Sequence, residues 1–223
     1  MGLLGRIKER VIPMSIEFYA YDTPNGRKIS VALEEFALPY KVKIVNIVQG
    51  EQFTDDFAAI SPNKKIPAIV DHDGRDGRRI TVFESGAILL YLAEKTGRFM
   101  PSELSERVGV YEWLMWQVGG FGPAPGQVHH FLAMPEGAAR DYGLKRFSAE
   151  THRLYQVLNE RLAGREFVAT SHEPSIADFA ILGWAWRHER HQVSFAHLPN
   201  VASWYERMIT RPAVQRGLEV TLS

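Results

Sequence analysis

Two short segments of the chain carry residue types that could bind the ends of a peptide. Ile66 precedes Pro67, and a residue held extended before proline can offer its backbone N–H and C=O to an extended peptide. Further along, Glu84 and Ser85 stand ahead of an apolar run that predicts a helix. Free N–H groups at a helix start favour a carboxylate, and an acidic side chain favours an ammonium group. These segments therefore predict a site for a ligand that carries an amino-acid terminus.

The absence of cysteine limits the chemistry that this site could perform. The sequence contains no cysteine, so it can form no disulfide, no thiolate nucleophile and no cysteine zinc site. Any thiol chemistry must use a sulfur that the ligand supplies. The segment 188–191, His-Glu-Arg-His, lacks the spacing of a zinc protease, so we expect no metal there and a place on a solvated helix end.

The elements that would position these residues form two groups. Short apolar runs and helical periodicity alternate first in the order β-α-β-β-β-α, with a short additional helix over 55–59, and strand signals vanish after residue 103. This order predicts an α/β thioredoxin-like domain over residues 15–97, an all-α domain over 103–218, and an extension over 1–14. The predicted strands cover 16–20, 40–48, 68–70 and 80–83, and the longer predicted helices cover 28–36, 85–95, 107–118, 138–162, 176–188 and 201–208.

Two local patterns in the helical part predict features of its packing. Ser175 and Asp178 form a capping-box pattern ahead of an apolar run, which predicts a buried helix start with a structural role. The glycines and prolines of 119–126 predict a break in the first long helix that could shape the mouth of a pocket.

Composition narrows the possible partners. The 223 residues are 45% hydrophobic and 11% aromatic, which is enough for two modest cores. Lys and Arg number 26, as do Asp and Glu, so no overall field attracts nucleic acid or anionic lipid. No apolar run has transmembrane length, and charges interrupt the first ten residues. We expect a soluble cytoplasmic protein with no nucleic-acid or membrane partner.

Further segments extend the pattern around Pro67 and Ser85 into a family resemblance. They are Thr23-Pro24-Asn25-Gly26, Gln52, Trp116-Gln117-Val118-Gly119-Gly120 and His129-His130-Phe131. With them the chain resembles the cytosolic glutathione transferases, and most of all the bacterial Nu class, from about residue 15 to about residue 217. The resemblance implies a homodimer that binds glutathione or glutathione disulfide and acts as a glutathione-dependent disulfide-bond oxidoreductase.

Thr23 is the predicted partner of the glutathione sulfur. It ends the first predicted strand, and its hydroxyl could donate to a thiolate while the following helix start adds positive charge. Such surroundings lower a thiol pKa from about 8.5 to roughly 3.5–7.5. The resemblance places Asn25 beside the sulfur. Two alternatives stay open: Thr23 is only a helix cap, or Tyr19 or Tyr21, on one face of the strand, holds the sulfur.

The remaining ligand contacts come from both halves of the chain. The resemblance assigns Ile66 to the cysteinyl unit, and Glu84 and Ser85 to the γ-glutamyl end. Gln52 and Lys65 offer an amide donor and a cation for the glycyl carboxylate, although Lys65 could equally be a solvated loop residue.

A second set of candidates lies in the helical part. The resemblance implies that Arg146 binds a ligand carboxylate, with an exposed ion pair to Glu150 as the alternative. Trp116, His130 and Phe131 are predicted to wall a second-substrate pocket, although helical spacing also suits Trp116 to the core.

The resemblance implies a reaction in which a glutathione thiolate attacks a small disulfide and a second glutathione resolves the mixed product. Conjugation of glutathione to a small electrophile needs the same activated sulfur and is the alternative. A third possibility, from a different class, is a non-catalytic binding module with this fold.

Overall fold

A four-stranded sheet and its helices are followed by helices alone. The computed structural model describes residues 15–74 and 77–223, so the predicted extension over 1–14 lies outside the described residues. The strands are β1 (Ile16–Ala20), β2 (Tyr40–Ile44), β3 (Ala68–Asp71) and β4 (Ile80–Phe83). This arrangement confirms the predicted α/β thioredoxin-like domain followed by an all-α domain.

The sheet has the strand order β2-β1-β3-β4. β1 and β2 are parallel, which requires a crossover connection, here a helix, and β3 is antiparallel to both β1 and β4. Ile16, Phe18 and Ala20 of β1 are fully buried because alternate side chains of the central strand face the core. Ile69 of β3, paired with Phe18, is equally buried.

Nine α-helices are present in the described residues. They are α1 (Pro24–Glu35), α2 (Asp55–Ile60), α3 (Ser85–Thr96), α4 (Leu104–Trp116), α5 (Pro123–Leu132), α6 (Ala138–Arg161), α7 (Ile176–Ala185), α8 (Pro199–Ile209) and α9 (Pro212–Glu219). Among them, none combines the length and the apolar composition needed to cross a membrane. α1 starts at proline, which suits a first helical turn, and α3 stops at Gly97, whose φ of 67° is left-handed.

The predicted break after α4 is a single wide turn of π-helix. It covers Gln117–Phe121 and leads directly into α5 at Pro123. Gln117 and Phe121 are buried, so the turn places one polar and one aromatic side chain into the interior.

The prediction of a solvated helix end over 188–191 is wrong for His191, although the segment is a 3-10 turn whose Glu189 and Arg190 are exposed. α7 stops at Ala185, and the chain then turns back so that His191 is fully buried. Its Nδ1 lies 3.2 Å from His129 Nε2, and its Nε2 lies 2.8 Å from the Tyr155 hydroxyl. Hydrogen bonds with residues distant in sequence hold His191 inside.

The two domains share one continuous apolar core, in which α1 packs against α7 and α9. A Cβ atom on Gly183 of α7 would lie 2.6 Å from Lys28 Cγ and 2.7 Å from the Pro24 carbonyl oxygen. Only glycine permits this approach, so α1 and α7 are in direct contact at the domain boundary.

Candidate active site

A cavity of about 490 Å³ opens between the two domains. Loops and helix starts of the α/β domain form one wall, and the segment after α4 together with α7 forms the other. The lining residues are Asn25, Lys28, Asn63, Lys65, Ile66, Pro67, Glu84, Ser85, Val118, Gly122, Pro123, Gly126, Gln127 and Trp184. The cavity therefore gathers five residues predicted from the sequence: Asn25, Lys65, Ile66, Glu84 and Ser85.

Ile66 presents unpaired backbone groups to the cavity. The Ile66–Pro67 peptide bond is cis, and β3 begins only at Ala68. Across residues 15–74 and 77–223, no hydrogen bond uses the Ile66 amide or carbonyl. Both groups are thus available to an extended peptide, and the exposed Lys65 adds a cation beside them.

Glu84 and Ser85 form the start of α3. Glu84 has φ 70° and ψ 119°, a conformation that costs a non-glycine residue about 1–3 kcal/mol and is typical of functional sites. Its Oε1 accepts a hydrogen bond of 3.2 Å from Asn63 Nδ2. No side chain of the described residues caps the α3 N-terminus. The uncapped N–H groups can bind a carboxylate, and the Glu84 carboxylate can bind an ammonium group.

Asn25 has a fixed amide orientation. Trp184 Nε1 lies 3.0 Å from Asn25 Oδ1, and an indole N–H can only donate, so the amide oxygen faces the tryptophan. In the described structure, nothing accepts a hydrogen bond from Asn25 Nδ2. Asn25 therefore lines the cavity with two donor hydrogens available to a ligand.

The candidates for the sulfur partner differ in their surroundings. Thr23 is outside the cavity lining and caps α1, because its Oγ1 accepts a 3.1 Å hydrogen bond from the Gly26 amide. Its hydroxyl hydrogen stays free to donate. The Tyr19 hydroxyl donates to Glu17 Oε2 at 3.1 Å, and its ring lines a separate groove beside β2. Tyr21 is outside the cavity lining.

Lys28 is a functional candidate that sequence reasoning missed. It is 2% exposed, and its Nζ donates to Gln117 Oε1 at 2.6 Å and to Ser85 Oγ at 3.2 Å. Burial lowers the Lys28 pKa to about 7, although the negative charge of Glu84 opposes this shift. A lysine in an amphipathic helix is ordinarily solvated, so no sequence signal distinguished it.

Two predicted site residues lie elsewhere in the fold. Gln52 is in the short 3-10 turn Glu51–Phe53, where its Nε2 donates to the Ile47 carbonyl at 3.4 Å. The Trp116 ring stacks on Phe121 with centroids 5.0 Å apart, so it packs against the core. Neither residue lines the cavity, and their roles stay predictions.

The other three candidates of the helical domain form a group on α5 and α6. The Phe131 ring lies 5.3 Å from the His130 ring and stacks on Phe147 at 5.7 Å, and the Arg146 guanidinium lies 5.9 Å from the Phe147 ring centre. Glu150, the alternative partner of Arg146, instead accepts two hydrogen bonds from Arg153, at 2.7 and 2.8 Å. Arg146 is exposed and forms no ion pair in the described structure.

The α5 part of this aromatic group lies on the helix face that carries Gln127. Gln127 lines the cavity, and His130 and Phe131 follow three and four residues later, on the same helix face. In the described residues, no cluster of three or more His, Cys, Asp or Glu side chains could hold a metal ion.

A cavity between a thioredoxin-like domain and a helical domain, with free backbone groups before a proline, defines a class of thiol-peptide-binding enzymes. Two family models match the chain: the N-terminal domain of glutathione S-transferase over residues 23–95, and its C-terminal domain over 127–212. The chain belongs to the glutathione S-transferase family. The matches confirm the resemblance drawn from the sequence.

Three relatives refine this assignment. The chain is 47% identical to the disulfide-bond oxidoreductase YfcG of Escherichia coli K12, covering 91% of this chain and 94% of YfcG. It is 35% identical to the disulfide-bond oxidoreductase YghU of the same organism, and the match covers 96% of this chain and 78% of YghU. The chain also resembles a glutathione transferase structure from Pseudomonas putida that holds one glutathione disulfide per subunit. The TM-score is 0.85 at 38% identity, and the match covers 95% of this chain and 94% of that structure's chain.

Proposed function

We propose that the protein is a glutathione-dependent disulfide-bond oxidoreductase of the Nu class. The observation that carries the proposal is the cavity, which combines the unpaired backbone groups of Ile66 with the uncapped helix start at Glu84 and Ser85. Relatives named as disulfide-bond oxidoreductases, and a similar structure holding glutathione disulfide, support the choice of ligand and reaction.

Glutathione is an extended tripeptide with a charged group at each end, and each part has a complementary group in the cavity. Ile66 pairs with the cysteinyl backbone. Glu84 binds the γ-glutamyl ammonium, while Ser85 and the first N–H groups of α3 bind the adjacent carboxylate. Lys65, in the cavity lining, and Gln52, outside that lining, bind the glycyl carboxylate.

The reacting sulfur comes from glutathione, because the chain has no cysteine. The free donor hydrogens of Asn25 Nδ2 stabilise the thiolate from within the cavity. The Thr23 hydroxyl and the N-terminus of α1 add further stabilisation from the same side. A donor to the thiolate lowers the thiol pKa and raises the nucleophile concentration at neutral pH.

The reaction proceeds by two thiol–disulfide exchanges. The bound glutathione thiolate attacks one sulfur of a small disulfide, a new S–S bond forms, and the second sulfur leaves as a thiolate that takes up a proton. A second glutathione thiolate then attacks the mixed disulfide and releases the other substrate thiol. Two glutathione molecules are oxidised to glutathione disulfide as one disulfide is reduced to two thiols.

The second glutathione or the substrate binds along the α5 face that continues the cavity. His130 and Phe131 offer aromatic surface there, and Arg146 offers a guanidinium for a carboxylate. Trp116 supports this wall through its stacking on Phe121.

The protein acts as a homodimer in the cytoplasm, where thiols are kept reduced. Leu104, Val108 and Met115 of α4 are 71%, 44% and 51% exposed, and their spacing places them on one helix face. An apolar stripe of this kind is suited to a two-fold interface. Size-exclusion chromatography with light scattering should give twice the chain mass.

The test of the reaction compares two assays on one preparation. Reduction of 2-hydroxyethyl disulfide by glutathione, followed through glutathione reductase and NADPH, should greatly exceed conjugation of glutathione to 1-chloro-2,4-dinitrobenzene. Conjugation alone would indicate a transferase for electrophiles. Calorimetric titration with no glutathione binding would leave only a binding module for some other partner.

A further inference from the structure

Lys28 is a buried cation without an acidic partner. Its side chain is 2% exposed, and its two hydrogen-bond partners, Ser85 Oγ and Gln117 Oε1, are both neutral. No salt bridge within residues 15–74 and 77–223 includes it. A buried charge is ordinarily paired, because removing it from water is costly. Lys28 also lines the cavity directly beside Ser85.

The charged groups on the elements around Lys28 are paired elsewhere or exposed. Glu84, at the start of α3, is the only charged group among the described residues that shifts the Lys28 pKa, and it is exposed to solvent. On α1, Arg27 pairs with Asp22, and the buried Glu35 pairs with Arg211. On α3, Lys95 pairs with Asp71 and Glu94 is exposed, and on α7 Asp178 accepts hydrogen bonds from the Ser175 backbone and side chain. On α9, Arg216 pairs with Glu34 of α1 and Glu219 is exposed. The turn 117–121 contains no ionisable residue.

We propose that Lys28 is a positioning residue for the ligand carboxylate that binds at Ser85. The ammonium donates to Ser85 Oγ, so the Ser85 hydroxyl hydrogen is left to donate to the carboxylate. The carboxylate in turn supplies the negative charge that the surroundings of Lys28 lack. The inference rests on the proposed function, since the ligand is taken to be glutathione bound through its γ-glutamyl end.

Gln117 completes the arrangement from the helical domain. Its Oε1 accepts from Lys28 Nζ, which directs the ammonium between α3 and the turn after α4. Its Nε2 is buried and has no hydrogen-bond partner in the described structure. The anion subsite therefore depends on both domains.

A linked protonation follows from this geometry. Burial lowers the Lys28 pKa to about 7, so near neutral pH part of the population is uncharged before the ligand binds. An arriving carboxylate favours the charged form and raises this pKa. Binding should therefore take up a proton, and affinity should fall as the pH rises above 7.

Calorimetric titration of the full-length protein can separate charge pairing from packing. One ligand is S-methylglutathione, whose blocked sulfur removes thiol ionisation from the proton balance. The other is its analogue with a 4-aminobutyryl group in place of γ-glutamyl, which lacks only the α-carboxylate. The proteins are wild type, Lys28→Met, Lys28→Gln as a second neutral variant, and Lys41→Met, a matched control at an exposed lysine of β2.

We expect Lys28→Met and Lys28→Gln to weaken S-methylglutathione binding roughly ten- to hundredfold and the analogue less than about threefold. Lys41→Met should change neither. In buffers of different ionisation enthalpy at about pH 7.5, wild type should show net proton uptake with S-methylglutathione, and both Lys28 variants should show much less.

Equal losses for both ligands would overturn the inference, because they would indicate that Lys28 only supports packing. Binding by wild type without proton uptake would also contradict it, while leaving the proposed function intact. Failure of wild type to bind S-methylglutathione at any pH would overturn the proposed function, and this inference with it.

Discussion

Two buried polar clusters of opposite charge differ in their position, since one lies within the helical domain and the other spans the domain boundary. Asp178, in the helical domain, accepts four hydrogen bonds, two on each carboxylate oxygen, from Ser175 N and Oγ, Val168 N and Trp204 Nε1. Lys28, in the α/β domain, has only two neutral partners, and one of them, Gln117, keeps an unpaired Nε2. The first cluster is complete within the protein and the second is incomplete.

This difference indicates what each cluster does. An unsatisfied buried donor costs about 1–3 kcal/mol, so a complete cluster contributes to stability and an incomplete one detracts from it. A buried polar cluster that lacks partners and lies beside a cavity can obtain its missing hydrogen-bond or charge partners from a ligand. Mutations at Asp178 should therefore change folding, and mutations in the cavity should change binding and catalysis.

The largest expected effect is on stability, from Asp178→Asn. The amide NH₂ of asparagine would face backbone N–H groups that now donate hydrogen bonds to the carboxylate, so two donors would oppose each other. Breaking a buried charged cluster in this way costs about 3–5 kcal/mol. Urea unfolding measures the loss. The fraction of the variant that remains folded should bind glutathione with wild-type affinity. A large loss of affinity in that fraction would contradict the assignment of Asp178 to folding alone.

Asn25→Asp should lower kcat/KM about 100-fold, close to 2.7 kcal/mol, with less than about 1 kcal/mol change in stability. The new carboxylate keeps the acceptor for Trp184 but replaces the donor to the sulfur with a negative charge. Ultraviolet titration of the bound thiol should show a raised pKa. Retention of wild-type kinetics would remove Asn25 from the sulfur site.

Acid should destabilise the protein through the buried histidines. Burial lowers the His129 pKa to about 4 and the His191 pKa to about 3, from an ordinary value of 6.5. Between the folded-state values and 6.5, the unfolded chain therefore binds more protons than the folded protein. The stabilising contribution is complete above pH 6.5 and decreases as the pH falls toward 4.

We expect a loss of about 2–3 kcal/mol between pH 6.5 and 4, mostly from the fully buried His191, while the partly exposed His129 contributes less. Urea unfolding across this range gives the slope. His191→Gln should flatten it, and an equally steep slope in that variant would assign the acid sensitivity to other groups.

The smallest effect concerns the two roles of Thr23. Thr23→Ala should destabilise the protein by about 1 kcal/mol through loss of the α1 cap, and should also depress turnover and raise the pKa of the bound thiol. Thr23→Ser keeps the hydroxyl and should restore both properties. Lost stability with an unchanged pH–rate profile in Thr23→Ala would leave Thr23 as a cap alone.

The fold was predictable because its signals are local. Hydrophobic alternation located β1 and β2, and short apolar runs located β3 and β4, although β2 ends at Ile44 instead of residue 48. Gly97 and the Ser175–Asp178 pattern located a helix end and a helix start, since capping depends on residues three or four positions apart. The cavity wall after α4 followed from the density of glycine and proline there.

The rest depended on contacts between distant segments. His191 was placed on the surface because its partner His129 lies 62 residues away in sequence. Lys28 was missed because only packing against α7 and the turn after α4 buries it. Asn63 and Trp184 reach the cavity through a loop and a helix that no short motif connects to it.

The close contact at Gly183 leaves no room for even one methyl group between the two domains. Alanine there would push its methyl against Lys28 and the Pro24 carbonyl, so α1 and α7 would have to separate. Trp184, the next residue, would draw its indole away from Asn25 as the helix shifts. Gly183 therefore sets how closely α1 and α7 approach, and with it the spacing of Asn25 and Trp184 in the cavity wall.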